Sequence, residues 1–387
     1  MKLRVLLATA YSPTASHDHA AADLAHPLVT HLSHHVELFV YAPDQSSLSD
    51  REAPGLEFLE GTARGRGLTR HISARPSWLR REWSPAATAE VLEYLDRLRP
   101  DVLHCEYLQA SEPILVRRYP SVVGLHDCST DVQRRLLATT DGPRKCYRWA
   151  ELMRTKHLEQ RVLAAASVVV ALSWRDASLF QRYTDRVVVS QPGIALPRCP
   201  WTGAPSQRPP TLLFFGAMWR SANIAIAQFL VKEVLPYVWV RRPDITLRIA
   251  GSRPAAEVQQ LAALDSRVEV SGFIDDLDAL VARSSLVLAP NLLGGGIQLK
   301  ILRSLAVGCP VVTSRDAAEA VGAEDERHLL VGADSVHLAA QVLRLLDDQA
   351  LAARLGAAGR QLVSQRFDWS QTVATYVQAY QRAVGES

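Results

Sequence analysis

Three things are missing from this chain of 387 residues, and each narrows its class. Cysteine is sparse: Cys105, Cys128, Cys146, Cys199 and Cys309 are odd in number, scattered and without metal-ligand spacing. That excludes a disulfide scaffold, gives no metal site and fits a reduced, cytoplasmic setting. An excess of one charge is absent as well, with Lys plus Arg at 43 against Asp plus Glu at 40, and a net +3 makes no electrostatic case for nucleic acid. No apolar run approaches the ~20 residues that span a bilayer, so no transmembrane segment is expected. The apolar start after Met1-Lys2 stops at Tyr11-Ser12-Pro13, which suits a first buried strand better than a signal peptide. What remains is an ordinary globular composition, 48% hydrophobic and 21% charged, long enough for two domains.

What is present is a repeated strand and helix pattern whose most informative stretch runs from 286 to 314. An apolar run, Leu286 to Ala289, passes through Pro290 and Asn291 into Gly294, Gly295 and Gly296. From Ile297 the apolar residues Ile297, Ile301, Leu302 and Leu305 fall at helical spacing until Gly308 and Pro310, and Val311-Val312 opens another strand. A helix that starts after glycines offers unpaired N–H groups and partial positive charge, a place suited to a phosphate, and Lys300 adds a full charge there. The other reading is that the glycines only tighten a strand-to-helix turn.

The first half alternates in the same way. Strand Leu3 to Ala8 is followed by a polar loop with Ser16, His17, Asp18 and His19, a helix to about His31 and the strand Val36 to Tyr41. Strands at Val102 to His104 and Val122 to Leu125 end in Glu106 and in His126-Asp127, polar groups at carboxyl ends, where open parallel sheets bind ligands. His126 fits either a catalytic role or that of a hydrogen-bonded structural histidine. Between these segments, Arg64, Arg66, Arg70, His71, Arg75, Arg80 and Arg81, with Trp78 and Trp83, form a basic insertion that either meets an anionic surface or is a solvated loop.

Eight prolines and glycines between Pro192 and Pro210 mark a boundary. The expected organisation is a Rossmann-like domain over 1–195, a Pro-rich linker over 196–210, a second Rossmann-like domain over 211–366, and a C-terminal helix over 367–387 packing back on the first domain. In the second domain the strands near Phe215, Ala250 and Val270 end close to Gly216, Gly251 and Gly272, which suggests a large ligand approaching the backbone.

Together these features resemble the GT-B fold, an α/β architecture of two doubly wound Rossmann-like domains facing a cleft, and within it the retaining family-four glycosyltransferases. Glu159 to Asp176 is similar to the family's long helix, strand and "VS" turn, Gln191-Pro192-Gly193-Ile194 to its "PNGV" entry, and Gly272-Phe273-Ile274 to its "GF" strand end. Leu299-Lys300-Ile301-Leu302 with Leu305 to Val312 resembles a subgroup carrying "GGTRLKILEAMAMGRPVV". The resemblance implies transfer of a sugar from a nucleoside-diphosphate donor (UDP, GDP or dTDP) to a small or specialised acceptor, with retention, without a metal and with no cofactor beyond that co-substrate. It places His126 and Asp127 in catalysis, Gly216, Arg220, Gly272, Gly295, Gly296, Ile297, Gln298, Leu299, Lys300 and Arg303 on the donor, and Ser16, His17, Asp18 and Glu106 on the acceptor. Such chemistry needs no side-chain nucleophile, and no Ser-His-Asp or Cys-His arrangement is evident in the sequence.

The departures from the family are specific. Gly295 and Arg303 stand where two glutamates are usual, and Ala217 and Ala222 replace a basic pair, leaving Arg220 and Lys300 to supply charge. Arg303 is expected to be buried, with the donor as its partner. The losses keep two other readings open, a sugar-nucleotide epimerase or phosphorylase of the same fold and a non-catalytic binding protein.

Overall fold

A strand covered by helices on both faces has no use for polar side chains, and Val5–Ala8, Val122–Leu125 and Val168–Ala171 carry none. The computed structural model describes residues 2–13, 20–43, 54–63, 75–198, 200–201, 209–292 and 296–385. The chain forms two units, Met1–Gly193 with Trp369–Ser387, and Ile194–Asp368.

The first unit is built on strands β1 (Arg4–Thr9), β2 (Glu37–Tyr41), β3 (Leu56–Leu59), β4 (Val102–Glu106), β5 (Ser121–Leu125), β6 (Val168–Ala171) and β7 (Val187–Val189). They pair in the order β3-β2-β1-β4-β5-β6-β7, and all pairs are parallel. The order reverses between β1 and β4, so the loops after those strands splay apart and open a crevice. On one face the helix Trp369–Gly385 packs Val373, Tyr376, Ala379 and Tyr380 against Val5, Leu7, Val122 and Val170. The expected basic insertion is partly regular: Ser77–Glu82 and Pro85–Leu98 are helical, the second capped by Ser84 with Pro85 in its first turn. Trp83 is fully buried and donates to Thr88, and Arg75 pairs with Glu112 at 2.5 Å, so this part serves the interior.

The second unit holds β8 (Thr211–Phe215), β9 (Thr246–Ala250), β10 (Val268–Ser271), β11 (Leu286–Leu288), β12 (Val311–Thr313) and β13 (Leu330–Val331). The order β10-β9-β8-β11-β12-β13 is again wholly parallel, with its reversal between β8 and β11. The edge strand β13 was not foreseen, because two residues carry no periodicity. Ser221–Arg241 is a continuous helical run long and apolar enough to cross a bilayer. Here Ile226, Leu230, Val234 and Val238 fill the core beside Phe214 and Leu247. Its middle turn, Leu230–Val234, is a π-helix just ahead of Pro236, whose missing N–H breaks the ordinary ladder.

The start of the expected linker is tied to this unit. The Ile194 amide donates to Phe367 (2.7 Å), the Trp201 amide to Val307 (2.8 Å) and the Trp201 indole to Ser284 (2.9 Å). The proline-rich stretch is therefore anchored to this unit at Ile194 and Trp201. Gly251 also has a local reason: a β-carbon there would lie 1.7 Å from the Gly216 carbonyl oxygen, at φ +147°. Two strand ends touch, so this glycine answers to a neighbouring backbone. Gly251→Ala should cost about 2 kcal/mol or more, since overpacking and a strained backbone each cost about 1–3 kcal/mol. Thermal unfolding measures this, and an unchanged Tm would mean the strand ends can part freely.

Candidate functional site

In the first unit the chemistry gathers at the carboxyl ends of β4 and β5. Register sets Glu106 between Thr9 and Gly124, and its carboxylate turns to the sheet face covered by the helix Trp369–Gly385. A β-carbon on Gly124 would lie 2.1 Å from Glu106 Oε2, so only glycine leaves room for this acid. His126 Nε2 meets Glu106 Oε1 at 2.5 Å, and His104 Nε2 meets Oε2 at 2.8 Å. Tyr376 donates to Oε2 from 3.5 Å, and Tyr380 lies 2.8 Å from His104 Nδ1. Burial raises the carboxyl's pKa, but the hydrogen bonds from His104 and His126 outweigh it and bring the group down to about 2.

Tyr107 follows β4 with φ +74°, a conformation unusual for a side-chain-bearing residue, and its ring lies 4.0 Å from that of His126 at 33°. Tyr11, just after β1, meets Tyr107 edge-on at 5.0 Å. Beside His126 a small cavity is walled by Leu24, Leu28, Leu172, Trp369 and Tyr376. Asp127 is half-buried and accepts from the Ser129 hydroxyl at 3.0 Å.

Behind it lie two acids that sequence reasoning passed over. Burial, opposed by hydrogen bonds to Thr130, holds Glu159 up at about 7; burial, opposed by Ser173, holds Asp176 up at about 6; and the charge of Asp127 pushes both upward. Glu159 lies on the buried face of its helix among Leu158, Val162 and Leu163, and Asp176 closes a capping turn with Ser173, so both had a visible signal.

In the second unit the crevice lies between β8 and β11. Gly216 leaves β8 at φ +156°, and Asn223, in the first turn of the next helix, donates to the Ala217 carbonyl at 3.0 Å. The same amide accepts from Lys300 Nζ at 2.8 Å, and that ammonium sits 4.7 Å above the Phe214 ring. Burial of the amino group, and then the charge of Arg220, push Lys300 down to about 7. Asn223 and Phe214 were not foreseen; both point at Lys300 only once β8 and β11 are neighbours.

Several expectations are placed differently. The helix begins at Leu299, with Gln298 as its cap and Gly296 at φ +65°, so Ile297 precedes it. Gly272 is exposed with open space around its α-carbon, and its carbonyl accepts from Gly251. Arg220 is exposed and caps the helix Ser221–Phe229. Arg303 is half-exposed, and its partner is a protein acid, Asp278, at 2.5 Å, because the helix Leu277–Arg283 packs alongside. Glu106, expected on the acceptor, has both oxygens taken by histidines and is buried. Ser16, His17, Asp18, Gly295 and the arginines 64, 66 and 70 lie outside the described residues. Among the described residues no group of three or more His, Cys, Asp or Glu is arranged to hold a metal ion.

Comparison with known proteins follows the same division. Residues 21–198 match the model of Glycosyltransferase Family 4, and residues 209–348 that of Glycosyl transferases group 1. The chain is 30% identical over 176 residues to a phosphatidyl-myo-inositol mannosyltransferase of Mycobacterium leprae, covering 44% of this chain and 46% of that protein. It thus spans under half the length of that relative. In fold it is similar to the sucrose-phosphate synthase of Thermosynechococcus elongatus, with a TM-score of 0.79 at 18% identity over 99% of this chain and 100% of the other. It is also similar to Anabaena Alr3699/HepE, solved with UDP and glucose, at a TM-score of 0.65 and 14% identity over 98% and 99% of the two chains. One glycosyltransferase family model thus matches the first half of the chain and another the second, on a chain whose two parallel sheets have the GT-B fold.

Proposed function

We propose that the chain transfers a glycosyl group from a nucleoside-diphosphate sugar to a small or specialised acceptor, with retention of configuration and without a metal. The observation that carries this reading is Lys300. It is a lysine pushed down to about 7 at the switch point of a parallel sheet, at the start of a helix, beside the Gly216 turn. An ammonium kept short of solvent, held by an amide oxygen and a ring face, lacks a countercharge until an anion arrives, and a diphosphate restores its charge. The charge that grows on the departing diphosphate is then met by Lys300, Arg220 and the amides of Gly296 to Leu299. Gly216 and Gly272 leave backbone open for the nucleotide, and His126 and Asp127 of the first unit serve the transferred sugar. The neighbour solved with UDP and glucose makes UDP the first base to test, ahead of GDP and dTDP.

Binding of an intact nucleotide sugar, whose diphosphate does not titrate near neutrality, tests the placement by calorimetry. Lys300→Ala should weaken it by about 1.5–3 kcal/mol, the worth of a hydrogen bond to a charged group. The wild type should also depend on pH. Free Lys300 is charged below about 7 and neutral above it, while the bound diphosphate favours the charged form. Affinity should therefore be highest below pH 7 and fall as pH rises through 7, by up to about tenfold per unit, and Lys300→Ala should abolish the slope. A flat wild-type profile would place the diphosphate elsewhere.

Arg303 now carries the opposite expectation to the one drawn from sequence. With Asp278 as its partner on a half-exposed surface, Arg303→Ala should change donor affinity by less than about 1 kcal/mol, the range for such a pair. A loss comparable to that of Lys300→Ala would return Arg303 to the donor. His126→Ala should lower kcat about tenfold or more while donor affinity holds, and an equal loss in both would indicate misfolding.

A further inference from the structure

The Glu106 cluster holds more order than anchoring the fold requires. An ionised carboxylate only accepts hydrogen bonds, so each histidine nitrogen that faces Glu106 carries a proton. For His104 the remaining nitrogen, Nδ1, is met by the Tyr380 hydroxyl at 2.8 Å, and both of its nitrogens are occupied. His126 differs. Its Nε2 is committed to Glu106, its ring face lies against Tyr107, and its side chain is 17% exposed, with the cavity beside it.

We propose that Glu106 is a positioning residue: it takes the Nε2 proton of His126 and so leaves Nδ1 as the one nitrogen that can meet a substrate hydroxyl. This rests on the catalytic reading of His126. Tyr380 and His104 hold Glu106 from behind, Tyr376 touches the same carboxylate, and Gly124 leaves the space in which it sits. The support runs Tyr380, His104, Glu106, His126, and it joins the helix Trp369–Gly385 to the end of β5. The low pKa of Glu106 agrees with this, since a carboxyl protonated near neutrality would be free to donate and would fix neither ring. The titratable groups facing His126 and Glu106 are His104 on β4, Tyr107 after it, and Tyr376 and Tyr380 on the helix; Asp127 turns to Ser129 instead.

Imidazole nitrogen NMR of the full chain, with neither donor nor acceptor present, tests the assignment. The signal is assigned by its loss in His126→Ala. The neutral ring of wild-type His126 should carry its proton on Nε2, with Nδ1 bare; a proton on Nδ1 overturns the proposal without any further variant. Glu106→Gln keeps the shape and removes the charge. Its kcat should fall about tenfold or more with donor KM within about threefold. A kcat that stays put overturns the proposal. The expected spectra in a chain with no transferase activity would keep the positioning and sink only the functional reading.

Discussion

A charged carboxylate inside a sheet must be paired on every side, and Glu106 sets that condition for the first unit. Its demands reach into four segments: His104 two residues back on the same strand, His126 beyond the next strand, Gly124 within it, and two tyrosines of the helix Trp369–Gly385. Removing any one partner would leave an ion in a low-dielectric interior, which costs far more than the same loss at a surface. The arrangement is therefore cooperative, and it ties the position of a site residue to the packing of the fold.

The second unit solves the opposite problem. Among the described residues no carboxylate pairs with Lys300; it has an amide oxygen, an aromatic face and a nearby arginine. Those neighbours tolerate an ammonium without neutralising it. Where the first unit spends a buried acid on fixing a ring, the second keeps a cation undercompensated. The contrast separates an ion paired on every side from one left without a countercharge.

Much of this was legible beforehand, for a plain reason. Strands buried on both faces are unbroken apolar runs, and Val122 to Leu125 and Leu286 to Ala289 fall within one residue of β5 and β11. Residues that follow such strands are polar for a purpose, and Glu106, His126 and Gly216 were visible on that ground. What escaped were relations between distant segments. Nothing local in Arg303 names Asp278, nothing in Lys300 names Asn223, and Glu106 could be placed at a binding edge without revealing that two histidines use up both its oxygens. The glycine after β9 had a legible cause and an illegible one: a ligand seemed to need the space, and a neighbouring carbonyl takes it.

The helix Trp369–Gly385 has a consequence for how the molecule is made. It completes the core of a unit whose other members precede residue 194, and Tyr380 reaches His104 across 276 positions of sequence. A nascent chain must therefore synthesise the whole of the second unit before the first can close its sheet. Until then Val5, Leu7, Val122 and Val170 stay partly uncovered, and the second unit, continuous from Ile194 to Asp368, has everything it needs to fold ahead of its predecessor. The first unit is thus completed by the last segment of the chain to be made.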